Sequence, residues 1–134
     1  MKLHLKNELE EIPPAADAAE ASLLAQGASA DAVYAARLVI EELVSNTIKY
    51  AYQDSDPHEI LLDLRIQEGT MVLEVSDDGH PFNPLEAQAP DLSLPAADRP
   101  IGGLGLHLVR SMTDSLTYAR KDGRNIVTIQ KSLS

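Results

Sequence analysis

Between Asp31 and Tyr52 the chain carries neither Gly nor Pro, and Val33, Ala36, Ile40, Leu43, Thr47 and Tyr50 recur at intervals of three and four. That spacing gathers them on one face and predicts a long α-helix over 31–52, with Asp31 as its N-cap. A helix with such a face must lay it on another apolar surface. The strand-like runs supply one: 58–67 and 70–76, separated by Glu68-Gly69, read as a hairpin, and 115–120 and 124–132, around Lys121-Asp122-Gly123, read as a second. Leu3 and Leu5, alternating with Lys2, His4 and Lys6, predict a half-buried first strand. Residues 12–26 are Ala-rich, with Pro13 and Pro14 in the first turn and Gly27 as a stop, and predict another helix; 106–114 predict a third. The strands cluster instead of alternating with helices. The expected fold is therefore an α/β (α+β) two-layer sandwich, a mixed and mostly antiparallel sheet covered by helices, not a doubly wound parallel sheet.

A chain of 134 residues, 44% of them hydrophobic, fits a single domain over 1–134. The absence of Cys excludes a disulfide scaffold, a thiolate zinc site and a cysteine nucleophile. With 11 Lys and Arg against 21 Asp and Glu, the net charge of -10 argues against nucleic acid as a partner. No apolar run approaches the ~20 residues that a membrane span needs, and the N-terminus has no secretory pattern. The expectation is a soluble cytoplasmic protein with no membrane partner. His4, His58, His80 and His107 lack metal-ligand spacing and read as surface or packing residues.

Three clusters bear on chemistry. In the long helix, Glu42 and Asn46 stand four apart and stack on one face, which taken alone reads as a solvent-facing strip. At the exit of the apolar run 71–76 stands Asp77-Asp78-Gly79, where a carboxylate can accept from an amino group and a glycine lets the backbone approach a flat ligand; taken alone it reads as an ordinary turn. Gly102-Gly103-Leu104-Gly105-Leu106 opens a helix, and free N–H groups at a helix N-terminus favour phosphate. It fits neither the dinucleotide fingerprint nor the P-loop. Between the last two clusters lie Pro81, Pro84, Pro90, Pro95 and Pro100 without a sustained period, the mark of a functional lid or a disordered insert.

In this order and spacing the clusters resemble the Bergerat-fold (GHKL) ATP-binding domain shared by bacterial anti-sigma factor serine kinases, sensor histidine kinases, DNA gyrase and heat-shock chaperones. The partner-switching anti-sigma kinase branch is the most similar. The stretch from Leu38 to Asn46 is similar to the family's N box, Asp77-Asp78-Gly79 to its first glycine box, and Gly102 to Leu106 to its second. The resemblance implies that Asn46 holds Mg²⁺ through its side-chain oxygen and that Glu42 is the general base for an attacking serine hydroxyl. It further implies that Asp77 accepts from the adenine amino group of ATP, that Gly79 permits the approach, that Gly102, Gly103 and Gly105 contact the phosphates, and that 83–103 is the lid. Two departures stand out: Pro81 replaces a second glycine, and Arg124-Asn125 follow Gly123 where many relatives have Thr, with Asn125 a substitute polar contact.

The implied function is an ATP-dependent protein serine kinase that phosphorylates an anti-sigma factor antagonist and sequesters a sigma factor, acting as a homodimer. One short domain without a helix pair carrying a phospho-accepting histidine does not accommodate a complete sensor histidine kinase. The alternatives are a non-catalytic, nucleotide-dependent partner-binding module and a small α/β protein that takes no nucleotide.

Overall fold

The computed structural model describes residues 1–52, 54–86 and 103–134. Most of the expected lid, 83–103, lies outside them. Strands β1 (Lys2–Lys6), β2 (Glu59–Gln67), β3 (Thr70–Asp77), β4 (Ser115–Lys121) and β5 (Arg124–Ser132) form one sheet. Their order is β1-β2-β3-β5-β4, and every neighbouring pair is antiparallel. The antiparallel character read from the hairpins thus extends across the whole described sheet.

Both hairpins close through two residues in the left-handed region, Glu68 (φ 51°) with Gly69 (φ 76°), and Asp122 (φ 54°) with Gly123 (φ 76°). Two such residues in succession give the loop a twist that matches the strands it joins. Lys121, expected in the second turn, instead pairs with Arg124 and belongs to the strand. The hairpins meet along β3 and β5, where Leu73 lies opposite Ile129, Val75 opposite Val127 and Asp77 opposite Asn125.

One face of the sheet carries the helices. Helix α1 (Ile12–Ala25) follows a 3₁₀ turn (Leu9–Glu11) and accepts proline in its first turn. Helix α2 (Ala30–Val39) is capped by Ser29, not Asp31: the Ser29 backbone is extended, and its Oγ accepts the Ala32 N–H at 3.1 Å. Asp31 lies in the first turn, where its charge complements the helix dipole. Beyond Val39 the helix runs on through two π-wound turns, Ile40–Val44 and Thr47–Ala51, a local widening that the apolar spacing did not reveal. Helix α3 (Gly103–Met112) starts three residues before its expected position and ends two before.

Ala15, Ala16, Ala19, Ala32, Ala35 and Ala36 are buried where α1 and α2 pack, because small side chains let two helix backbones come close. Leu23, Val39, Ile40 and Leu43 then share one core with Leu62, Leu64, Leu73, Val75 and Ile129 of the sheet. Val33, Ala36, Ile40 and Leu43 of the expected face lie in this core, joined by Val39 and Val44, while Thr47 and Tyr50 of that face lie outside it.

Candidate active site

The site is built where the exit of β3 meets the far end of α2. Asp77, the last residue of β3, is only 4% exposed. A carboxylate so placed needs donors, and its Oδ1 accepts from the Gly79 N–H at 2.9 Å and from Asn125 Nδ2 at 3.0 Å. Among the described residues no donor reaches its Oδ2.

Gly79 is pressed against the second π-wound turn: a Cβ built there would stand 2.4 Å from the Ala51 carbonyl oxygen. The neighbouring bonds repeat the attachment, with the His80 N–H donating to the Ala51 oxygen at 2.8 Å and His80 Nε2 bonded to the Tyr50 oxygen at 2.7 Å. From the other side Arg120 donates to the Gly79 oxygen at 2.7 Å. The glycine singled out as room for a flat ligand is thus already required by the chain's own packing.

Asn46 is 3% exposed, so it is no part of a solvent-facing strip. It lines a narrow cavity with Asp77 and Thr47, whose other walls are Leu43, Val75, Val127, Phe82 and Pro84. At about 10 Å³ the cavity is no larger than a single water needs, so a flat ligand enters only if the walls around Asn46, Thr47 and Asp77 part. Glu42 stands one turn before Asn46, within the first π-wound turn, and does not line this cavity. Partial burial pushes its carboxyl above the usual carboxylate range, Glu41 adds to the effect and Lys49 opposes it. A carboxyl raised in this way is a stronger proton acceptor once ionised. Helix α3 packs on the turn Ile40–Val44, with Gly103 at its first residue and Gly105 in its first turn. Gly102 lies outside the described residues.

Several contributors were not legible as site residues. Asn125 is 2% exposed and makes four hydrogen bonds: besides Asp77, its Nδ2 donates to the His80 oxygen at 2.8 Å, and its Oδ1 accepts from the Phe82 N–H at 3.1 Å and the Tyr118 hydroxyl at 2.6 Å. Resemblance suggested a polar contact at Asn125, but nothing marked Phe82 or Tyr118. His58 stacks on Tyr52 with ring centroids 4.1 Å apart, and its ring nitrogens meet Asp54 at 2.7 Å and Asp78 at 3.2 Å. These carboxylates hold the imidazole above its ordinary range, mainly through the Asp54 bond. Burial, then the Asp77 and Asp78 charges, push the Tyr52 phenol up.

The donor set can be tested against Mg²⁺. Among the described residues no group of three or more His, Asp or Glu is disposed to hold a metal alone. Asn46 offers one neutral amide oxygen from a buried position, and Mg²⁺ is commonly held by one or two protein oxygens plus phosphate and water. The residues therefore fit a metal that arrives with phosphates.

The fold is thus an antiparallel sheet under a helical layer, with a buried strand-exit carboxylate and a helix-borne asparagine on one small cavity. Residues 5–131 match the histidine kinase-like ATPase domain, and the chain belongs to that family. It is 33% identical over 92 residues to the serine/threonine-protein kinase BtrW of Bordetella bronchiseptica, covering 69% of this chain and 65% of that protein. It is 28% identical over 106 residues to the serine-protein kinase RsbW of Listeria monocytogenes, covering 75% and 67%. The chain thus spans about two thirds of the length of these relatives. The fold is shared with the histidine kinase AdeS of Acinetobacter baumannii (TM-score 0.54, 14% identity, 98% of this chain and 68% of that one). It is shared also with the histidine kinase domain of a blue-light activated kinase from Erythrobacter litoralis (TM-score 0.53, 19% identity, 77% and 45%). Among the described residues no helix is long and apolar enough to cross a membrane.

Proposed function

We propose that this chain is a single ATP-binding domain with the activity of a protein serine kinase, phosphorylating an anti-sigma factor antagonist and sequestering a sigma factor. The observation that carries the reading is the shared cavity of Asn46 and Asp77, one helical turn from Glu42. Kinship with BtrW and RsbW supports the choice of serine as acceptor. A cytoplasmic homodimer with the segment 83–103 as its lid belongs to the same proposal.

In this reading Asp77 accepts from the adenine amino group through Oδ2, since Oδ1 is taken by Gly79 and Asn125. Asn46 holds Mg²⁺, which when bound neutralises phosphate charge. The start of α3 at Gly103 and Gly105 faces the phosphates with free N–H groups. Glu42 takes the proton of the serine hydroxyl as its oxygen bonds to the γ-phosphorus and the bond to the β-phosphate oxygen breaks. The absence of Glu42 from the cavity wall favours one rival, a module that binds nucleotide and partner without transfer. Radiolabelled ATP, incubated with the chain and candidate antagonist proteins, separates the two. Label on a serine of the antagonist supports the kinase; nucleotide binding without transfer to any antagonist bound by the chain establishes the module.

A further inference from the structure

The cavity between Asn46 and Asp77 is too small for a nucleotide, so a wall must move before one enters. One wall is Asn46 and Thr47, where the second π-wound turn begins, and the chain leaves that turn at Tyr52. The Tyr52 ring lies on the His58 imidazole, centroids 4.1 Å apart and planes 10° from parallel. His58 is itself fixed to the sheet: its carbonyl accepts the Asn7 N–H at 3.2 Å, and its own N–H donates to Asn7 Oδ1 at 3.1 Å. Its ring nitrogens face two carboxylates, Nε2 meeting Asp54 at 2.7 Å and Nδ1 meeting Asp78 at 3.2 Å. Both nitrogens can donate only when the ring carries its second proton; a neutral imidazole turns a lone pair towards one carboxylate.

The surroundings leave this pairing to the proton. In the groove that His58 lines, Lys6 is the one lysine or arginine, Glu59 is engaged by His4, and Glu11 accepts the Lys6 N–H. Behind the stack, burial and the charges of Asp77 and Asp78 push the Tyr52 phenol up, against Arg124, so the phenol stays neutral. Its hydroxyl is buried with no hydrogen-bond partner among the described residues. That unpaired group is a cost of the closed arrangement, and contact with water on opening relieves it.

We propose that protonated His58 is a latch on the cavity, holding Tyr52 and the end of the long helix against the exit of β3 until the proton leaves. This inference rests on the nucleotide reading above. Opening and proton loss are linked, so a nucleotide that needs the parted walls expels a proton from His58 to solvent, and protonation weakens binding by the reciprocal factor. While latched, the imidazole is held above its ordinary 6.5, chiefly by the Asp54 bond; released, it returns towards that value. Affinity is then level below 6.5, climbs as pH rises from there to the latched value, and is level again beyond it. Asp54, lowered by the same bond, stays ionised throughout that window.

The experiment uses the full chain with Mg²⁺ and the unhydrolysable imido analogue of ATP. Calorimetry in buffers of different ionisation heat counts the protons released, and NMR follows the His58 ring in free and saturated wild type. Near neutral pH wild type is expected to release about half a proton more per analogue than His58→Gln. It should bind about three- to tenfold more weakly than that variant at about pH 6, with the difference gone at about pH 9. The variant carries the same analogue, so titration of the phosphates cancels. In the saturated protein the His58 ring should titrate lower than in the free one. A merely structural ring would change affinity by the same factor at every pH, and that result overturns the latch. Equal proton release by wild type and a folded His58→Gln overturns it too. If the variant does not fold, the wild-type ring decides alone: a His58 titration unmoved by saturating analogue overturns the latch. Wild type binding no analogue from about pH 6 to about pH 9 overturns the nucleotide reading and the latch with it, an outcome distinct from tight binding with an unmoved ring.

Discussion

In the proposed kinase reading Glu42 is the base, and its half-buried place on the π-wound turn raises its carboxyl. Glu42→Gln keeps the shape and removes the proton acceptor, so transfer to an antagonist serine should fall by about 10²- to 10⁴-fold, the usual contribution of a positioned base. Nucleotide affinity should stay within about threefold, because the group acts on the transition state and not on ground-state binding. A transfer assay beside calorimetry checks this, and transfer at the wild-type rate would remove Glu42 from the mechanism. Gly79 carries a different kind of demand. A methyl group there meets the Ala51 carbonyl at 2.4 Å, and since both partners are backbone, the turn or the helix end must move. Gly79→Ala should cost about 1–3 kcal/mol, the range for overpacking, read as a lowered urea midpoint. An unchanged midpoint would show that the turn yields freely.

Among the elements, the helix caps give a clean comparison. Ser29→Ala removes the acceptor of the Ala32 N–H and should destabilise the protein by about 1 kcal/mol. Asp31→Ala, at the position the sequence favoured for the cap, should cost less, because it loses only a dipole contact. Chemical denaturation of the two variants side by side reads the order, and equal costs would contradict the observed cap. Ser29 was passed over because Asp31 adjoins the apolar spacing, whereas a cap is fixed by backbone angles that no side-chain pattern prints. Both hairpins were legible because two-residue turns leave local chemistry, Glu68-Gly69 and Asp122-Gly123. Asn46 and Asp77 were legible as candidates, but their juxtaposition was not, since it depends on how far the end of α2 reaches over β3. The π winding escaped for a related reason: changing a hydrogen-bond step from four to five residues shifts an apolar stripe too little to break it. Tyr118 lies far from the boxes in sequence, whereas Phe82 follows Gly79 by three residues with nothing local to mark it; both bond Asn125.

At the scale of the whole molecule, the connector from α2 to β2 is tied to the exit of β3 by His58, between Asp54 and Asp78. The imidazole is raised in the folded protein and the Asp54 carboxyl lowered, each chiefly by their mutual bond. Stability from the raised group is complete below the ordinary histidine value of 6.5 and is lost as pH climbs through the folded value. Stability from Asp54 is present above its ordinary value of 3.8 and is lost as pH falls through the lowered one. The melting temperature of wild type should therefore exceed that of His58→Gln in mildly acidic buffer, and the gap should close towards alkaline pH. A gap that is constant across that range would mean the pair does not titrate with folding. A last consequence follows from the seam between β3 and β5, where Asp77 faces Asn125. Each side of that seam is a complete hairpin, and the proline-rich run lies between them in the chain. Severing the chain within that run would leave two pieces, each with its own local pairing, and both pieces line the cavity at the seam. In such a cleaved protein a nucleotide would act as a ligature: by binding only the joined form, it would convert its own concentration into reassembly of the two halves.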